Sequence, residues 1–326
     1  MIISRTPLRV SLAGGGSDLE EYYKTGCGAV VSTAIDKYVY ITVNKKFDDM
    51  IRVSYSKTEL VDDVNALEHN VIRESLKLLE ISKKIEVVYM GDIPLGTAGV
   101  GLGSSSGLAV GVLNALYAYK GLHASAQRLA DDACKVEIDI LGHPMGKQDQ
   151  YISAYGGFNY IQFNKDGTVF VDPIICKTET KTLLHNKLML FYTGLVRVSS
   201  TILGEQKSKT STNLDVLDKM VDLARGLRDE LVCNKIDEIG NILHEGWLLK
   251  KKLANGISTP QIDAYYEKAR KAGAAGGKIL GAGAGGFLLL YCDEKYQPKV
   301  REVLSDLKES PFKFEPQGSK IIYVHD

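Results

Sequence analysis

The most informative segment of this 326-residue chain reads Pro94-Leu95-Gly96-Thr97-Ala98-Gly99-Val100-Gly101-Leu102-Gly103-Ser104-Ser105-Ser106-Gly107. Its glycines allow backbone N–H groups to turn toward one point, and a helix that begins after the loop would add about half a unit of positive charge there. Phosphate is the natural ligand of such a loop. No Gly-Lys-Ser/Thr ends the segment, so it is not a Walker loop. The plainer alternative is a flexible turn in which Ser106 caps a helix.

The residues on either side of this loop favour the phosphate interpretation. Before it, the run Ile85–Met90 is rich in β-branched and apolar residues, which is typical of a strand. After it, apolar residues recur at helical spacing from Leu108 to Leu116, and again from Leu129 to Ile140. The loop is therefore predicted to connect a strand to the N-terminus of a helix.

The rest of the chain mixes runs of strands with runs of helices. Further strands are predicted at Ile2–Arg9, Ala29–Ser32, Tyr38–Asn44, Ile51–Tyr55, Leu188–Tyr192, Phe287–Tyr291 and Ile321–Val324. Further helices are predicted within Leu214–Cys233, Ile236–Asn255 and Lys299–Lys308, and after Thr259, which can cap a helix opened by Pro260. Because strands and helices do not alternate steadily, the pattern favours an α+β fold over a doubly wound one.

Length and charge limit the classes of protein to consider. A chain of 326 residues exceeds the usual size of a single core, so two lobes that share a cleft are expected. Forty Lys and Arg balance forty Asp and Glu, which leaves no net field to attract nucleic acid or an anionic membrane. The five scattered cysteines are read as reduced thiols. With neither a signal peptide nor a membrane span in the sequence, a cytoplasmic protein is expected.

Three glycine-rich segments resemble, in order, the three motifs of the GHMP kinases, a family that includes galactokinase, homoserine kinase, mevalonate kinase and phosphomevalonate kinase. The first is Arg5-Thr6-Pro7-Leu8-Arg9-Val10-Ser11-Leu12-Ala13-Gly14-Gly15-Gly16-Ser17-Asp18-Leu19, the second is the loop ending at Gly107, and the third is Lys278-Ile279-Leu280-Gly281-Ala282-Gly283-Ala284-Gly285-Gly286-Phe287. The motifs cover nearly the whole chain, which is therefore identified as a member of this family.

The resemblance implies an α+β fold with two lobes and the active site between them. A ribosomal-protein-S5-like N-terminal lobe would occupy residues 1–184, and a ferredoxin-like C-terminal lobe residues 185–326. ATP would be the phosphoryl donor and Mg²⁺ the metal ion. Residues implied to bind the nucleotide are Gly99, Gly101, Leu102, Gly103, Ser104, Ser105 and Ser106.

The third motif also fits another pattern, because Gly281-x-Gly283-x-x-Gly286 matches a dinucleotide-binding fingerprint. That fingerprint must open a helix after a strand. Here Phe287–Tyr291 follows, which is predicted to be a buried strand, so the kinase interpretation is preferred. In that interpretation the third motif packs beside the phosphate loop.

Two matches to the family concern catalysis. Asp149, in Gly146-Lys147-Gln148-Asp149-Gln150-Tyr151, matches the catalytic aspartate, although it could instead cap a helix that begins near Tyr151. Arg9 matches the basic residue beside that aspartate, and the alternative is a surface arginine at a strand end. A cation this close would favour the ionised carboxylate.

Two further matches concern the metal. Ser105 and Glu137 match the positions that contact magnesium, and a hard cation suits hydroxyl and carboxylate oxygens. Asp139 is the weaker candidate because it lies two residues further on, on another face of the helix. Without the resemblance, an exposed helix carboxylate is the simpler interpretation of Glu137.

The acceptor is expected to lie against the first and third motifs. Residues implied to contact it are Gly15, Gly16, Ser17, Asp18 and Gly283. If the acceptor carries a phosphate, Arg197 is the first candidate to bind it, because a guanidinium donates in bidentate fashion, and Lys147 is the second. Arg197 could instead be an ordinary surface residue.

One departure from the family pattern bears on the substrate. Galactokinases carry Glu-His after the glycine of the first motif, whereas this chain has Gly15-Gly16. Together with Gly146–Gly157 and Tyr192-Thr193-Gly194-x-x-Arg197, this resembles the heptose 7-phosphate kinase branch and the fucokinase-like members. The anomeric hydroxyl of D-glycero-D-manno-heptose 7-phosphate is the first hypothesis for the acceptor, and a free sugar is the second.

Other classes of function remain open at this stage. A sugar-sensing regulator of the same fold would be expected to lack part of the set Arg9, Ser105, Glu137 and Asp149, all of which are present. An ATP-dependent decarboxylase uses similar loops and would be distinguished by release of carbon dioxide. No nucleic acid or membrane partner is expected, and the oligomeric state is open, a homodimer included.

Overall fold

A computed structural model describes residues 1–93, 100–195 and 199–325. Within these residues the strands form two sheets, of eight and four strands. The strands are β1 Ile2–Ala13, β2 Gly28–Lys45, β3 Ile51–Ser54, β4 Thr58–Val61, β5 Ile85–Gly91, β6 Phe158–Phe163, β7 Val169–Pro173, β8 Leu188–Tyr192, β9 Ala274–Ile279, β10 Phe287–Cys292, β11 Lys308–Glu309 and β12 Lys320–Val324.

Helices cover the faces of these sheets. They are α1 Glu20–Tyr23, α2 Asn70–Leu78, α3 Ser104–Tyr119, α4 Ala126–Cys134, α5 Gln148–Tyr155, α6 Thr178–Lys187, α7 Ser199–Ser208, α8 Leu214–Val232, α9 Ile239–Lys250, α10 Pro260–Ala272 and α11 Gln297–Val303. A π-helical turn at Lys135–Ile140 continues α4, and short 3₁₀ turns lie at Val64–Ala66, Thr210–Thr212 and Glu294–Tyr296. Among the described residues, none of the helices combines the length and the apolar character needed to cross a lipid bilayer.

The first sheet is organised by the long strand β2. Its first half pairs with β6, from Gly28 opposite Phe163, and its second half pairs with β5, from Val39 opposite Gly91. At 18 residues β2 is about three times the usual strand length, which lets one strand serve two partners on one edge. The sheet runs β12-β1-β2-β5-β3-β4, with β6 and β7 branching from β2.

The second sheet has the order β11-β8-β10-β9 and is antiparallel. Together the two sheets and their helices form the mixed helix-and-sheet fold that the resemblance implies, so the α+β prediction is confirmed. The division near residues 184 and 185 remains a proposal. The last strand, β12, returns to pair with β1, so the end of the chain joins the first sheet.

Helix α3 connects the phosphate loop to the core. Its residues 106–117 are all buried, because the helix is apolar on every face and packs against β1 and β2 on one side and α4 and α5 on the other. Glycines make the contact close: a Cβ at Gly111 would lie 2.9 Å from the Thr6 hydroxyl. The middle of α3 is therefore packed closely against the middle of β1.

The predicted elements near the loop are observed, with one change. The helical pattern from Leu129 to Ile140 is divided into α4 and the π-helical turn that contains Glu137. A π-turn widens the helix and shifts the side chains that follow, and such turns are common at functional sites. The predicted capping by Thr259 is also observed, since its Oγ1 accepts the N–H of Ile262 at 3.2 Å.

Candidate active site

The described part of the phosphate loop enters α3 through two left-handed residues. Gly101 and Gly103 have φ of +83° and +75°, a conformation that side chains disfavour, and Gly103 directly precedes the helix. The first N–H groups of a helix have no partner within it, so those at the start of α3 are available to an anion. Gly99, which was predicted to bind the nucleotide, lies outside the described residues.

The third motif packs directly against this loop. A Cβ at Gly281 would lie 2.5 Å from the Cα of Gly101, and a Cβ at Gly101 would collide with the Leu280 carbonyl. After the motif comes the strand β10, all of whose residues are buried. Because no helix follows, the dinucleotide alternative is wrong.

Arg9 and Asp149 form a bidentate ion pair at the centre of the cleft. Arg9 Nε donates to Asp149 Oδ1 at 2.7 Å, and Nη2 donates to Oδ2 at 2.6 Å. Only 3% of Arg9 is exposed, so it is not a surface arginine. A Cβ at Gly103 would lie 3.2 Å from both Arg9 Cγ and Asp149 Oδ2. The pair therefore touches the end of the phosphate loop.

The N-terminus of α5, which carries Asp149, is held by Asp18. One carboxylate oxygen of Asp18 accepts the N–H of Gly16 at 2.9 Å, and the other accepts the N–H of Gln148 at 3.2 Å. Asp149 itself lies in the first turn of α5 and pairs with Arg9, so the alternative in which Asp149 caps a helix is wrong. Burial raises the pKa of Asp18, and the nearby Asp149 charge adds to this, while the two N–H groups oppose it.

Glu137 is fully buried beside the phosphate loop. Its Oε1 accepts the Ser105 hydroxyl at 2.6 Å, and its Oε2 accepts the Gln150 amide at 2.7 Å. Burial raises its pKa and so does the charge of Asp149, but the hydrogen bonds from Ser105 and Gln150 favour the ionised form. The interpretation as an exposed helix carboxylate is wrong.

Ser105 and Glu137 suit a magnesium ion. A hydroxyl and a carboxylate oxygen converge beside an anion-binding helix terminus, and Mg²⁺ characteristically takes one or two protein oxygens together with phosphate oxygens. A cation there would also stabilise the buried carboxylate. Asp139, the weaker candidate, is exposed and lies away from the cleft.

One cleft brings together most of the predicted site residues. Its lining is Arg9, Ser11, Gly15, Gly16, Asp18, Leu19, Gly101, Gly103, Ser104, Ser105, Ser106, Met145, Gly146, Gln148, Asp149, Leu203, Gln206, Lys250, Lys278, Gly281 and Ala282. Gly15 and Gly16 let the chain turn beside Gln148 and Gln206, since Gly16 has φ of +107°. Leu102 contributes only its backbone, whose carbonyl accepts the N–H of Arg9 at 3.0 Å.

Three predicted residues lie elsewhere. Ser17 is buried in the turn of the first motif, where its hydroxyl donates to Gly14 O at 2.8 Å. The Lys147 ammonium donates to the Gly167 carbonyl at 3.1 Å and lies over the Tyr23 ring, in a separate pocket. Gly283 packs against Ile257, and Arg197 lies outside the described residues.

The cleft residues that were not predicted from the sequence include Ser11, Lys250 and Lys278. All three are at least nine-tenths buried. Ser11 and Lys278 stand inside the first and third motifs, two residues after Arg9 and three before Gly281, which was a usable signal. Lys250 is the last residue of a helix and is followed by Lys251 and Lys252, so nothing in the sequence distinguishes it from a solvent-exposed lysine.

Models of a known kinase family match both halves of the chain. The GHMP kinase N-terminal domain matches residues 48–157, and the GHMP kinase C-terminal domain matches residues 223–309. With the phosphate loop and the Arg9–Asp149 pair, these matches define a phosphotransferase. The chain belongs to the GHMP kinase family.

Individual relatives include sugar kinases. The chain is 29% identical to the D-glycero-alpha-D-manno-heptose 7-phosphate kinase of Campylobacter jejuni, over 90% of this chain and 89% of that protein. It is 25% identical to the L-fucokinase/L-fucose-1-P guanylyltransferase of Bacteroides fragilis, over 95% of this chain and 37% of that protein. Among solved structures, a D-glycero-D-manno-heptose 1-phosphate kinase from Bacteroides thetaiotaomicron matches with a TM-score of 0.81 and 26% identity over all of both chains.

Proposed function

We propose that this protein is an ATP-dependent sugar kinase that transfers the γ-phosphoryl group to the anomeric hydroxyl of a heptose 7-phosphate. The observation that carries the proposal is the bidentate Arg9–Asp149 pair, which lies between the phosphate loop and the glycine turn of the first motif. That position suits a base that must meet an acceptor on one side and a phosphoryl group on the other.

In the proposed reaction, the acceptor hydroxyl oxygen bonds to the γ-phosphorus while the bond from that phosphorus to the bridging β–γ oxygen breaks. The proton of the hydroxyl passes to a carboxylate oxygen of Asp149. Arg9 orients that carboxylate and adds positive charge beside the transferring group. Because the transition state of phosphoryl transfer is loose, orientation of the hydroxyl matters more than the basicity of Asp149.

The nucleotide phosphates would be held at the start of α3. Ser104 and Ser106 line the cleft beside the backbone N–H groups at this helix start, and Ser105 and Glu137 would hold Mg²⁺. The ion, when bound, neutralises phosphate charge that builds up during transfer. Glu137 is kept in place for this by Gln150, the neighbour of the proposed base.

The heptose phosphate is supported by the relatives and by the first motif. Two of the proteins described above are heptose phosphate kinases by name, one of the 7-phosphate and one of the 1-phosphate. Gly15 and Gly16 leave the acceptor side open to a sugar ring where galactokinases carry Glu-His. A fucokinase-like activity on a free sugar is the alternative, since a fucokinase is also among the relatives.

The test is an ADP-release assay with heptose 7-phosphate, heptose 1-phosphate, mannose 6-phosphate and free fucose, with the product identified by phosphorus NMR. The expected result is the highest kcat/KM on heptose 7-phosphate and a 1,7-bisphosphate product. A product phosphorylated at C7 from the 1-phosphate would reverse the assignment of the hydroxyl. Preference for free fucose would contradict the sugar-phosphate acceptor and favour the fucokinase-like alternative.

A further inference from the structure

Two lysines in the cleft are buried without a carboxylate partner. Lys250, at the end of α9, is 6% exposed, and Lys278, in β9, is 4% exposed. The Lys250 ammonium donates to the carbonyls of Ile279, at 3.3 Å, and Gly281, and the Lys278 ammonium donates to the carbonyl of Leu12 at 3.4 Å. Among the described residues, no carboxylate oxygen lies within 4.0 Å of either ammonium.

These contacts leave part of each ammonium unused. An ammonium has three N–H donors, so the described residues account for two on Lys250 and one on Lys278. A buried charge that is neither paired nor fully hydrogen-bonded is costly, and proteins keep such groups mainly where a ligand completes them.

The charges around the two lysines support a site for an anion. Burial lowers the pKa of Lys250 to about 8, and Arg9 adds to this, while Asp149 and Asp18 oppose it. Burial also lowers the pKa of Lys278, and Lys250 and Arg9 add to this against Asp18. A bound anion would favour the protonated form of both residues.

An independent observation comes from Ser11, which faces the same cleft. It is 4% exposed, and its hydroxyl has no hydrogen-bond partner among the described residues. Buried hydroxyls are normally hydrogen-bonded. Ser11 lies on β1 next to Leu12, whose carbonyl accepts the Lys278 ammonium. A donor is thus left open on the wall that already holds the two ammonium groups.

We propose that Lys250, Lys278 and Ser11 form the site that binds the phosphate monoester carried by the acceptor sugar. This inference rests on the proposed function and extends it by naming the residues that recognise the acceptor's own phosphate. A dianionic monoester offers oxygens to several donors at once, which suits two ammonium groups and a hydroxyl in one buried pocket.

The position of the site favours the acceptor over the nucleotide. The nucleotide side of the cleft is marked by the start of α3 and the Ser105–Glu137 contact. Lys278 instead contacts β1 just before the glycine turn of the first motif. The carboxylate charge of Asp18, in that turn, favours the protonated form of Lys278. The Arg9–Asp149 pair touches Gly103 on the nucleotide side, and the charges of both residues also act on Lys250.

The test is calorimetric binding of three ligands: heptose 7-phosphate, heptose, and a non-hydrolysable ATP analogue with Mg²⁺. The proteins are wild type, Lys250→Met, Lys278→Met and Lys252→Met, the last being an exposed lysine beside α9 that serves as the matched control. We expect either cleft variant to lose about 10- to 150-fold in affinity for heptose 7-phosphate, the value of a charge-assisted contact. Affinity for heptose and for the nucleotide should stay near that of wild type, and Lys252→Met should change nothing.

Three results would overturn the site. Equal losses for heptose and heptose 7-phosphate would mean that the lysines do not recognise the phosphate. A loss confined to the nucleotide would assign them to the γ-phosphoryl group. A wild type that binds heptose as tightly as its 7-phosphate would contradict the proposed function, and the site with it.

Two further measurements make the test robust. Methionine keeps the length of the buried stem, and removal of a buried ammonium should leave the melting temperature unchanged or raised, so a loss of affinity is not a loss of fold. Titrations at pH 8 in buffers of different ionisation heat should show proton uptake when wild type binds heptose 7-phosphate. The uptake should be smaller in Lys250→Met.

Discussion

Arg9 and Asp149 lie 140 residues apart in sequence and are joined by two hydrogen bonds of 2.7 and 2.6 Å. The pair links β1 to α5 and touches Gly103 at the end of the phosphate loop. Neighbouring contacts hold the pair in place. Asp18 accepts the N–H of Gln148 at the N-terminus of α5, and Gln150, the residue after Asp149, donates to Glu137.

The first prediction is that Asp149→Asn lowers turnover by about 10²- to 10⁴-fold, because an amide cannot accept the proton of the hydroxyl. The fold should survive, since the amide oxygen can still accept from Arg9. Turnover is measured with ATP and the preferred sugar phosphate, and binding of an ATP analogue reports the intact site. Asp172→Asn, on the exposed strand β7, is the control. Near-normal turnover in the folded variant would remove Asp149 from the mechanism.

The second prediction concerns magnesium. Glu137→Gln should raise the Mg²⁺ concentration for half-maximal rate at least about tenfold, because even residues behind a metal ligand cost that much when changed. The measurement is a magnesium titration at saturating ATP. Asp139→Asn, an exposed carboxylate two residues away, should titrate like wild type. An unchanged curve for Glu137→Gln would show that this carboxylate does not hold the ion.

The third prediction concerns the contact between the two glycine turns. Gly101→Ala should lower both the melting temperature and the ATP affinity, because the new Cβ meets the Leu280 carbonyl in addition to the left-handed backbone penalty of about 1–2 kcal/mol. Gly121→Ala has a similar φ of +70° but open space around it. It should show the backbone penalty alone. Equal melting temperatures would argue against tight packing of the turns.

The fourth prediction concerns the stability contribution of Lys250. Its pKa of about 8 lies below the ordinary 10.5, so the folded protein binds fewer protons than the unfolded chain between these values, and stability rises with pH there. The destabilisation of the folded protein by the buried, charged Lys250 is fully present below pH 8. Lys250→Met should therefore unfold later than wild type at pH 7, by up to about 3 kcal/mol, and the gain should shrink toward pH 10. Denaturant unfolding of both proteins across this range is the measurement, and a gain independent of pH would contradict the lowered pKa.

The fifth prediction rests on the sequence alone, since Arg197 lies outside the described residues. If Arg197 binds the acceptor phosphate, Arg197→Ala should lose about 10- to 150-fold in kcat/KM on heptose 7-phosphate and little on free fucose. Comparison with Lys278→Met on the same substrates separates the two candidate sites. Equal losses on all sugars would reject Arg197 as the phosphate anchor.

Local sequence rules predicted much of the architecture. The strand–loop–helix order around the phosphate loop and the strand after the third motif follow from side-chain periodicity and from the backbone freedom of glycine, which act over a few residues. The same rules missed β6, β7 and α6, where Gln162, Asp172 and Lys181 interrupt the apolar pattern. β6 is held by pairing with β2, β7 by pairing with β6, and α6 by packing on β8 and β10, and no short window of sequence contains these contacts.

The sequence by itself determined the class of protein, because three glycine motifs require particular backbone conformations wherever they occur. It also supplied the residue types of the proposed catalytic pair and of the proposed metal site. Only the tertiary structure decided which side chains share the cleft. Ser17 and Lys147 turn away from it, whereas Lys250 and Lys278, ordinary lysines in the sequence, enter it. The physical reason is that burial and side-chain direction are set by contacts between residues distant in the chain. The solvation cost that makes a lysine or a carboxylate functional is created by those contacts.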